Sequence, residues 1–164
     1  MKGGNSLALG TVLLAVLLQL SPMSTTWAGE MTRGSYVEEV EPICKAVTLA
    51  NRSIFRGTEQ MIRNGKLRKA APRFPRAATA VDRAIRRMQA VPRPPRDRQR
   101  LARWLRQGRS GSALLRKVGV TLKKNRRGPL QGMAEELLLR TKRVNATVVG
   151  FDFEYCRLNP SRFT

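Results

Sequence analysis

The sequence predicts an all-α domain: an antiparallel up-down four-helix bundle with a short C-terminal extended segment, closed by one disulfide. Three observations carry this expectation. Apolar residues recur at helical spacing in four successive blocks. The links between the blocks are short and hold Gly, Pro and Asn, which favours antiparallel neighbours. The chain has two cysteines, Cys44 early and Cys156 late, which an even number of antiparallel helices would bring to one end.

The first block contains Val40, Ile43, Val47, Ala50, Ile54, Thr58 and Met61, steps of three and four that fall on one helix face. Ser35-Tyr36-Val37-Glu38 matches a capping box. Pro42 is tolerated best near a helix start, so regular helix is expected from Ser35 or from about Glu41. Asn64-Gly65 supplies the stop. The second block contains Ala71, Phe74, Ala78, Val81, Ile85 and Met88, with Pro75 suited to its first turn. Val91-Pro92-Arg93-Pro94-Pro95 ends it as a stiff linker, because successive prolines remove the donors a helix needs.

The third block contains Leu101, Trp104, Leu105, Leu115, Val118 and Leu122. Its centre, Gly108 to Ser112, is weak, since each glycine costs about 1 kcal/mol relative to alanine. The apolar phase nevertheless runs from Trp104 through Gly108 and Gly111 to Leu115, which favours one continuous helix. Asn125 to Pro129 is a turn. The fourth block contains Leu130, Met133, Ala134, Leu137, Leu138, Thr141, Val144 and Val148, and Gly150 ends it. Phe151 to Cys156 then alternates apolar and acidic residues with period two, the pattern of an extended segment with one face packed.

The N-terminus reads as an export signal over residues 1–28, followed by one basic domain over residues 29–164. Lys2 gives a positive start, and Leu7 to Leu20 is an uncharged apolar run shorter than the ~20 residues a membrane span needs. Thr26-Trp27-Ala28 places small residues where a signal peptidase requires them, with cleavage between Ala28 and Gly29. The alternative is an uncleaved N-terminal anchor. The expected location is secreted or associated with the cell envelope. An exported chain meets an oxidising compartment, which favours a Cys44–Cys156 disulfide closing a loop of about 110 residues. A two-thiol metal site is the weaker reading, because no third cysteine and no histidine complete a zinc set. Free buried thiols are the alternative if the chain stays in a reducing compartment.

The charge is extreme: 32 Lys+Arg against 11 Asp+Glu, a formal net charge of +21. Such a chain attracts polyanions, so nucleic acid, anionic membrane and anionic wall polymers are candidate partners. Between Arg52 and Arg127 only Glu59, Asp82 and Asp97 interrupt the cations. Arg73, Arg76, Arg83 and Arg87 share a stripe on the second helix, and Arg96, Arg100 and Arg103 form another at the third. These seven are the candidate anion-binding residues. The rival reading is a solvated charged face, since no helix-turn-helix, zinc finger or aromatic RNA-binding motif accompanies them.

Pro42-Ile43-Cys44-Lys45-Ala46, Ala90-Val91-Pro92-Arg93-Pro94, and the ending Gly150-Phe151 through Tyr155-Cys156-Arg157 to Pro160-Ser161-Arg162-Phe163 resemble secreted proteins of high-GC Gram-positive bacteria. The resemblance spans roughly the whole chain after residue 28. It implies an exported helical domain with one early and one late cysteine, and it implies no activity.

The absence of histidine removes the commonest general base and the commonest metal ligand. Glu38, Glu39 and Glu41 cluster near a helix start, where carboxylates favour the positive end of the helix dipole. Glu135-Glu136 sits similarly in the fourth helix, and no Glu-x-x-His completes a di-iron bundle. Asn51-Arg52-Ser53 and Asn145-Ala146-Thr147 match the N-glycosylation pattern, which matters only in a eukaryotic secretory route. The expected function is non-catalytic: an exported helical domain that binds or scaffolds at the cell envelope, with electrostatic binding of polyanions as the alternative. No catalytic residue, metal or cofactor is indicated.

Overall fold

The computed structural model describes residues 30–159, so the expected export signal and the last five residues lie outside the described part. Four long helices form the frame: α1 (Arg33–Phe55), α4 (Arg73–Ala90), α5 (Arg98–Lys123) and α6 (Leu130–Thr147). Two short helical pieces, α2 (Thr58–Arg63) and α3 (Leu67–Ala70), join α1 to α4, and a 3-10 turn at Pro95–Asp97 leads into α5. No strand occurs among the described residues.

Side-chain contacts define the helix directions. Arg33 at the start of α1 reaches Asp97 beyond the end of α4. Arg73 at the start of α4 reaches the carbonyls of Ile54 and Arg56 at the end of α1. Arg109 binds Gln89 at 2.6 Å and Arg116 binds Asp82 at 2.5 Å, so α4 and α5 run oppositely. Arg100 binds the Thr147 carbonyl at 2.6 Å and Arg140 the Ser110 carbonyl at 3.1 Å, so α5 and α6 also run oppositely. The order of packing is α1, α4, α5, α6, and no comparable interface joins α6 back to α1.

Local chemistry explains the boundaries that differ from expectation. Thr32 is the N-cap of α1; its side chain accepts the Ser35 N–H at 3.1 Å, one turn before the expected Ser35 box. Pro42 lies inside α1, not near its start. Glu38 and Pro42 are both exposed, so the carbonyl that loses its partner faces solvent. Gly57, at φ 70°, breaks the first block before Met61, because only glycine takes that left-handed conformation at no steric cost. The third block is one helix. Gly108 and Gly119 permit its close crossing with α4: a Cβ at Gly108 would lie 3.1 Å from Ile85 Cδ1, and one at Gly119 would lie 2.9 Å from Pro75 Cδ.

The C-terminal segment forms bends and not a strand, yet its burial alternates as its sequence does. Phe151, Phe153 and Cys156 are buried while Asp152 and Glu154 are exposed. Phe153 stacks on Trp104 at 5.5 Å and on Phe151 at 5.3 Å, and Phe151 meets Tyr36 edge-on at 6.3 Å. This aromatic file joins α1, the C-terminal segment and α5 into the main core. A smaller core around Leu67, Ala70, Ala71 and Leu122 holds α3 against α4 and α5.

Cys44 and Cys156 form the disulfide, with a Cα–Cα distance of 5.0 Å across 112 residues of sequence. Glu41, one turn earlier, accepts the backbone N–H groups of Tyr155 at 3.0 Å and Cys156 at 3.1 Å. Glu41 therefore serves the returning chain; because α1 begins at Arg33 and α6 at Leu130 with no acid in either first turn, the helix-dipole role expected for Glu38, Glu39, Glu41, Glu135 and Glu136 does not apply. A loop of this length contributes about 5 kcal/mol through the unfolded state. The Cys44→Ser, Cys156→Ser double variant is expected to lose about that much unfolding free energy in a urea titration. A loss under about 1 kcal/mol would show that the Glu41 and aromatic contacts suffice without the bond.

Candidate functional site

Residues from all four long helices and the C-terminal segment enclose a cavity of about 340 Å³, partly open to solvent. Its wall is almost entirely apolar. On α1 the wall positions are Cys44, Val47, Thr48, Asn51 and Phe55, spaced at three and four residues along one face. Ile85 and Met88 of α4 form the floor with Trp104 and Leu115 of α5, and Leu137, Leu138 and Val144 of α6 face them. The disulfide closes one end, where Cys44 Sγ lies 3.7 Å from Met88 Sδ, and Tyr155 and Leu158 sit beside it.

Two sequence features leave this space unfilled. The middle of α5 presents Gly108, Gly111 and Ser112 to the cavity. A Cβ added at Gly111 would meet no atom within 4 Å, so open space lies directly beside it. The second feature is the loose seating of α6, in which Val144 is the one buried residue. Leu138 and Leu139 remain 51% and 53% exposed. The run Leu137-Leu138-Leu139 spreads apolar surface over more of the helix than one core face requires.

Asn51 is one of the polar residues in the wall, with Thr48, Gln107, Ser112, Arg140 and Thr141. It is 7% exposed, and its Oδ1 has no hydrogen-bond partner. A buried acceptor without a donor carries a penalty of about 1–3 kcal/mol. Asn145, the other asparagine of a glycosylation-like pattern, is engaged in a two-point clamp. It donates to the Leu158 carbonyl and accepts the Leu158 N–H, each at 2.8 Å. Arg140 also borders the cavity, with its guanidinium held by Glu136 and the Ser110 carbonyl.

The seven arginines of the expected anion-binding stripes divide into two groups. Arg73 donates to the carbonyls of Ile54 and Arg56 and to Thr58, closing the end of α1. Arg100 donates to the carbonyls of Thr147 and Val149, closing the end of α6, and its guanidinium stands 5.5 Å over the Phe151 ring. These two serve the fold by satisfying helix-terminal carbonyls. Arg76, Arg83, Arg87, Arg96 and Arg103 are exposed.

Two acid clusters anchor the frame around the cavity. Asp97 is 4% exposed and receives Arg33 through two bonds of 2.6 and 2.9 Å, with Arg100 at 3.9 Å. The Arg33 hydrogen bond holds the Asp97 carboxyl below its ordinary value against the opposing effect of burial, and the charges of Arg33 and Arg100 add to it. At the half-buried Asp82, desolvation pushes the carboxyl up; hydrogen bonds from Ser112 and Arg116, with the charges of Arg116 and Arg86, outweigh it and hold the group down. Tyr36 is fully buried with an unpartnered hydroxyl, and burial pushes it up to about 12 against the charge of Arg93.

Among the described residues no cluster of His, Cys, Asp or Glu could hold a metal ion, and no helix is long and apolar enough to cross a membrane. The fold and site define a disulfide-closed helical bundle built around an apolar cavity. No family model matches the chain, and no curated protein or solved structure shows significant similarity to it.

The cavity was not legible as a site in the sequence, where its lining reads as core. The available signals were the paired glycines at the centre of α5 and the three consecutive leucines of α6. Both carboxyls of the anchoring clusters are more acidic in the fold than in the unfolded chain, where a carboxylate titrates near pH 4. Their stabilisation is complete above that value and is lost as pH falls through the lower folded values. The urea midpoint is expected to stay level from pH 8 to about pH 5 and to fall below about pH 4. Asp97→Asn should lower the midpoint at pH 7 and flatten part of the acid decline. Parallel acid limbs for the two proteins would show that Asp97 contributes none of the decline.

Proposed function

We propose that this chain is an exported, non-catalytic binding domain of the cell envelope, and that its bundle cavity holds an apolar ligand. The observation that carries the reading is the cavity itself. Apolar surface left facing water forfeits about 25 cal/mol per Å² of burial, and α6 could recover it by settling toward α1. The disulfide and the Glu41 contacts tie the C-terminal segment to α1, and the Asn145–Leu158 bonds tie it to α6, so the segment stands at one end of this space. Export is supported by the signal-like residues 1–28 and by the disulfide, which suits an oxidising compartment. The resemblance to secreted helical proteins of high-GC Gram-positive bacteria points the same way.

Gly111→Leu tests the reading, because it projects a branched side chain into the open space beside α5. The wild-type chain is expected to bind N-phenyl-1-naphthylamine, a neutral apolar fluorophore, saturably at one site. The variant should bind it at least about tenfold more weakly while unfolding at an equal or higher urea concentration. Equal binding by both proteins would place the fluorophore elsewhere and refute the cavity as the site.

A second reading, electrostatic binding of polyanions, rests on the five exposed stripe arginines and the net charge of +21. It requires affinity for a DNA duplex or an anionic polymer to fall steeply with salt. Arg83→Ala with Arg87→Ala should reduce the slope of log K against log salt by about 2. A flat salt response in the wild-type chain eliminates this reading.

A further inference from the structure

We infer that the cavity's ligand is an amphiphile with an anionic head group, its apolar part in the cavity and its head held at the opening by Lys45, Arg52 and Lys142. This rests on the cavity reading above and adds the charge of the occupant and the place of its head.

Helical spacing locates the opening. Glu41, Lys45, Thr48 and Arg52 follow one another at steps of four, three and four, so they form one edge of α1. The earlier part of this edge meets the C-terminal segment. Glu41 accepts the Tyr155 and Cys156 N–H groups, and Lys45 Nζ stands 5.5 Å from the centre of the Tyr155 ring. Thr48 lines the cavity. Arg52, about three turns from Glu41, carries the edge past the segment. Leu138, Lys142, Asn145 and Val149 repeat the same steps at the end of α6. Asn145 binds Leu158 of the segment, and Leu138 lines the cavity. The two edges therefore stand on either side of the segment, and no interface comparable to that of α5 joins α6 to α1. Leu138 and Leu158 reach solvent there, at 51% and 39% exposure.

Charge selects the head group. Lys45, Arg52 and Lys142 are exposed, and none of them is ion-paired with a carboxylate among the described residues. Of the acids on these edges, Glu41 is turned to the two N–H groups, and Glu135, one turn before Leu138, accepts from Gln131 at 3.2 Å. Arg140 of the wall is already engaged by Glu136 and the Ser110 carbonyl, which leaves the edges to hold the head. An anion at the opening gains from three cations and keeps its contact with water, so it avoids the cost of burying a charge. A cationic head would meet those three charges in a chain of net charge +21. A second copy of the chain would bring the same repulsion. A neutral ligand gains nothing from the cations.

The test uses the full chain and displacement of N-phenyl-1-naphthylamine by decyl sulfate and decyltrimethylammonium, two probes of one chain length and opposite charge, each below its micellar concentration. The sulfate should displace the fluorophore at least about tenfold more strongly than the ammonium. Lys45→Gln with Arg52→Gln and Lys142→Gln should bind the fluorophore as well as the wild-type chain and lose most of that preference. Lys117→Gln with Lys123→Gln and Lys124→Gln removes the same charge from exposed positions of α5 outside the cavity wall, and should keep it. If the wild-type chain fails to bind the fluorophore, the cavity reading falls and this inference with it. If it binds the fluorophore but the two probes compete equally, the inference alone is overturned. It is likewise overturned if both triple variants lose the preference equally, which would assign it to net charge, or if sedimentation shows a second copy of the chain covering the opening in place of the fluorophore. Native mass spectrometry after mixing with phosphatidylglycerol vesicles separates the two sources of such a ligand. A bound phospholipid identifies a bilayer lipid, and decyl sulfate binding without one identifies a free amphiphile; either result supports the inference.

Discussion

The return of the C-terminal segment to α1 is the constraint on which the rest of the structure depends. Three kinds of force meet there within a few residues. The disulfide joins Cys44 to Cys156, Glu41 accepts two backbone N–H groups of the returning chain, and Phe151 and Phe153 link Tyr36 to Trp104. Each is local, but together they decide a global property. The segment occupies one end of the gap between the outer helices of the row, so α1 and α6 do not close on one another. The four-helix row has an interior space beside this segment.

The same constraint explains the uneven packing of α6. Its apolar residues have two available surroundings, the centre of α5 and the face of α1. The centre of α5 is glycine and serine, and α1 offers no interface comparable to that of α5. Leu138 and Leu139 are left half-exposed as a result, and the helix is held by polar contacts. At one end Arg100 binds the carbonyls of Thr147 and Val149, and near the middle Arg140 binds the Ser110 carbonyl. A wall fixed by polar contacts at its backbone and free at its apolar face suits a binding cavity, because an apolar guest supplies the packing that the protein lacks.

Much of the fold was legible in the sequence because periodicity records which side of a helix is apolar. The four blocks, the continuous third helix through Gly108 and Gly111, the turn at Asn125 and the cysteine pairing all follow from local spacing and the topology it permits. The break at Gly57 was not legible, since the apolar phase continues across it to Met61 and the glycine reads equally well as a tolerated interior residue. The Pro42 position misled for a related reason: its cost depends on whether the orphaned carbonyl faces solvent, which spacing alone does not state. The cavity was hidden because a pattern specifies the direction of a side chain and not the distance to the next helix. Asn51 shows this most clearly. As a sequence element it was a polar residue in a short modification pattern; in the fold it is a buried acceptor in an apolar wall.

The arginines connect stability with function. A net charge of +21 repels itself in the compact state, so a chain of this composition needs compensation. Part of it comes from pairing cations with helix-terminal carbonyls and with the two framework carboxylates. Arg73 and Arg100 bind helix-terminal carbonyls, while Arg33 and Arg116 bind the carboxylates of Asp97 and Asp82. The crosslink compensates differently, by restricting the expanded states that self-repulsion would favour. Arginines committed in this way cannot also grip a polyanion at full strength, so net charge overstates the surface available for one. Of the exposed remainder, Arg76, Arg83, Arg87 and Arg103 sit on helices that also frame the cavity, and Arg96 sits on the 3-10 turn outside it.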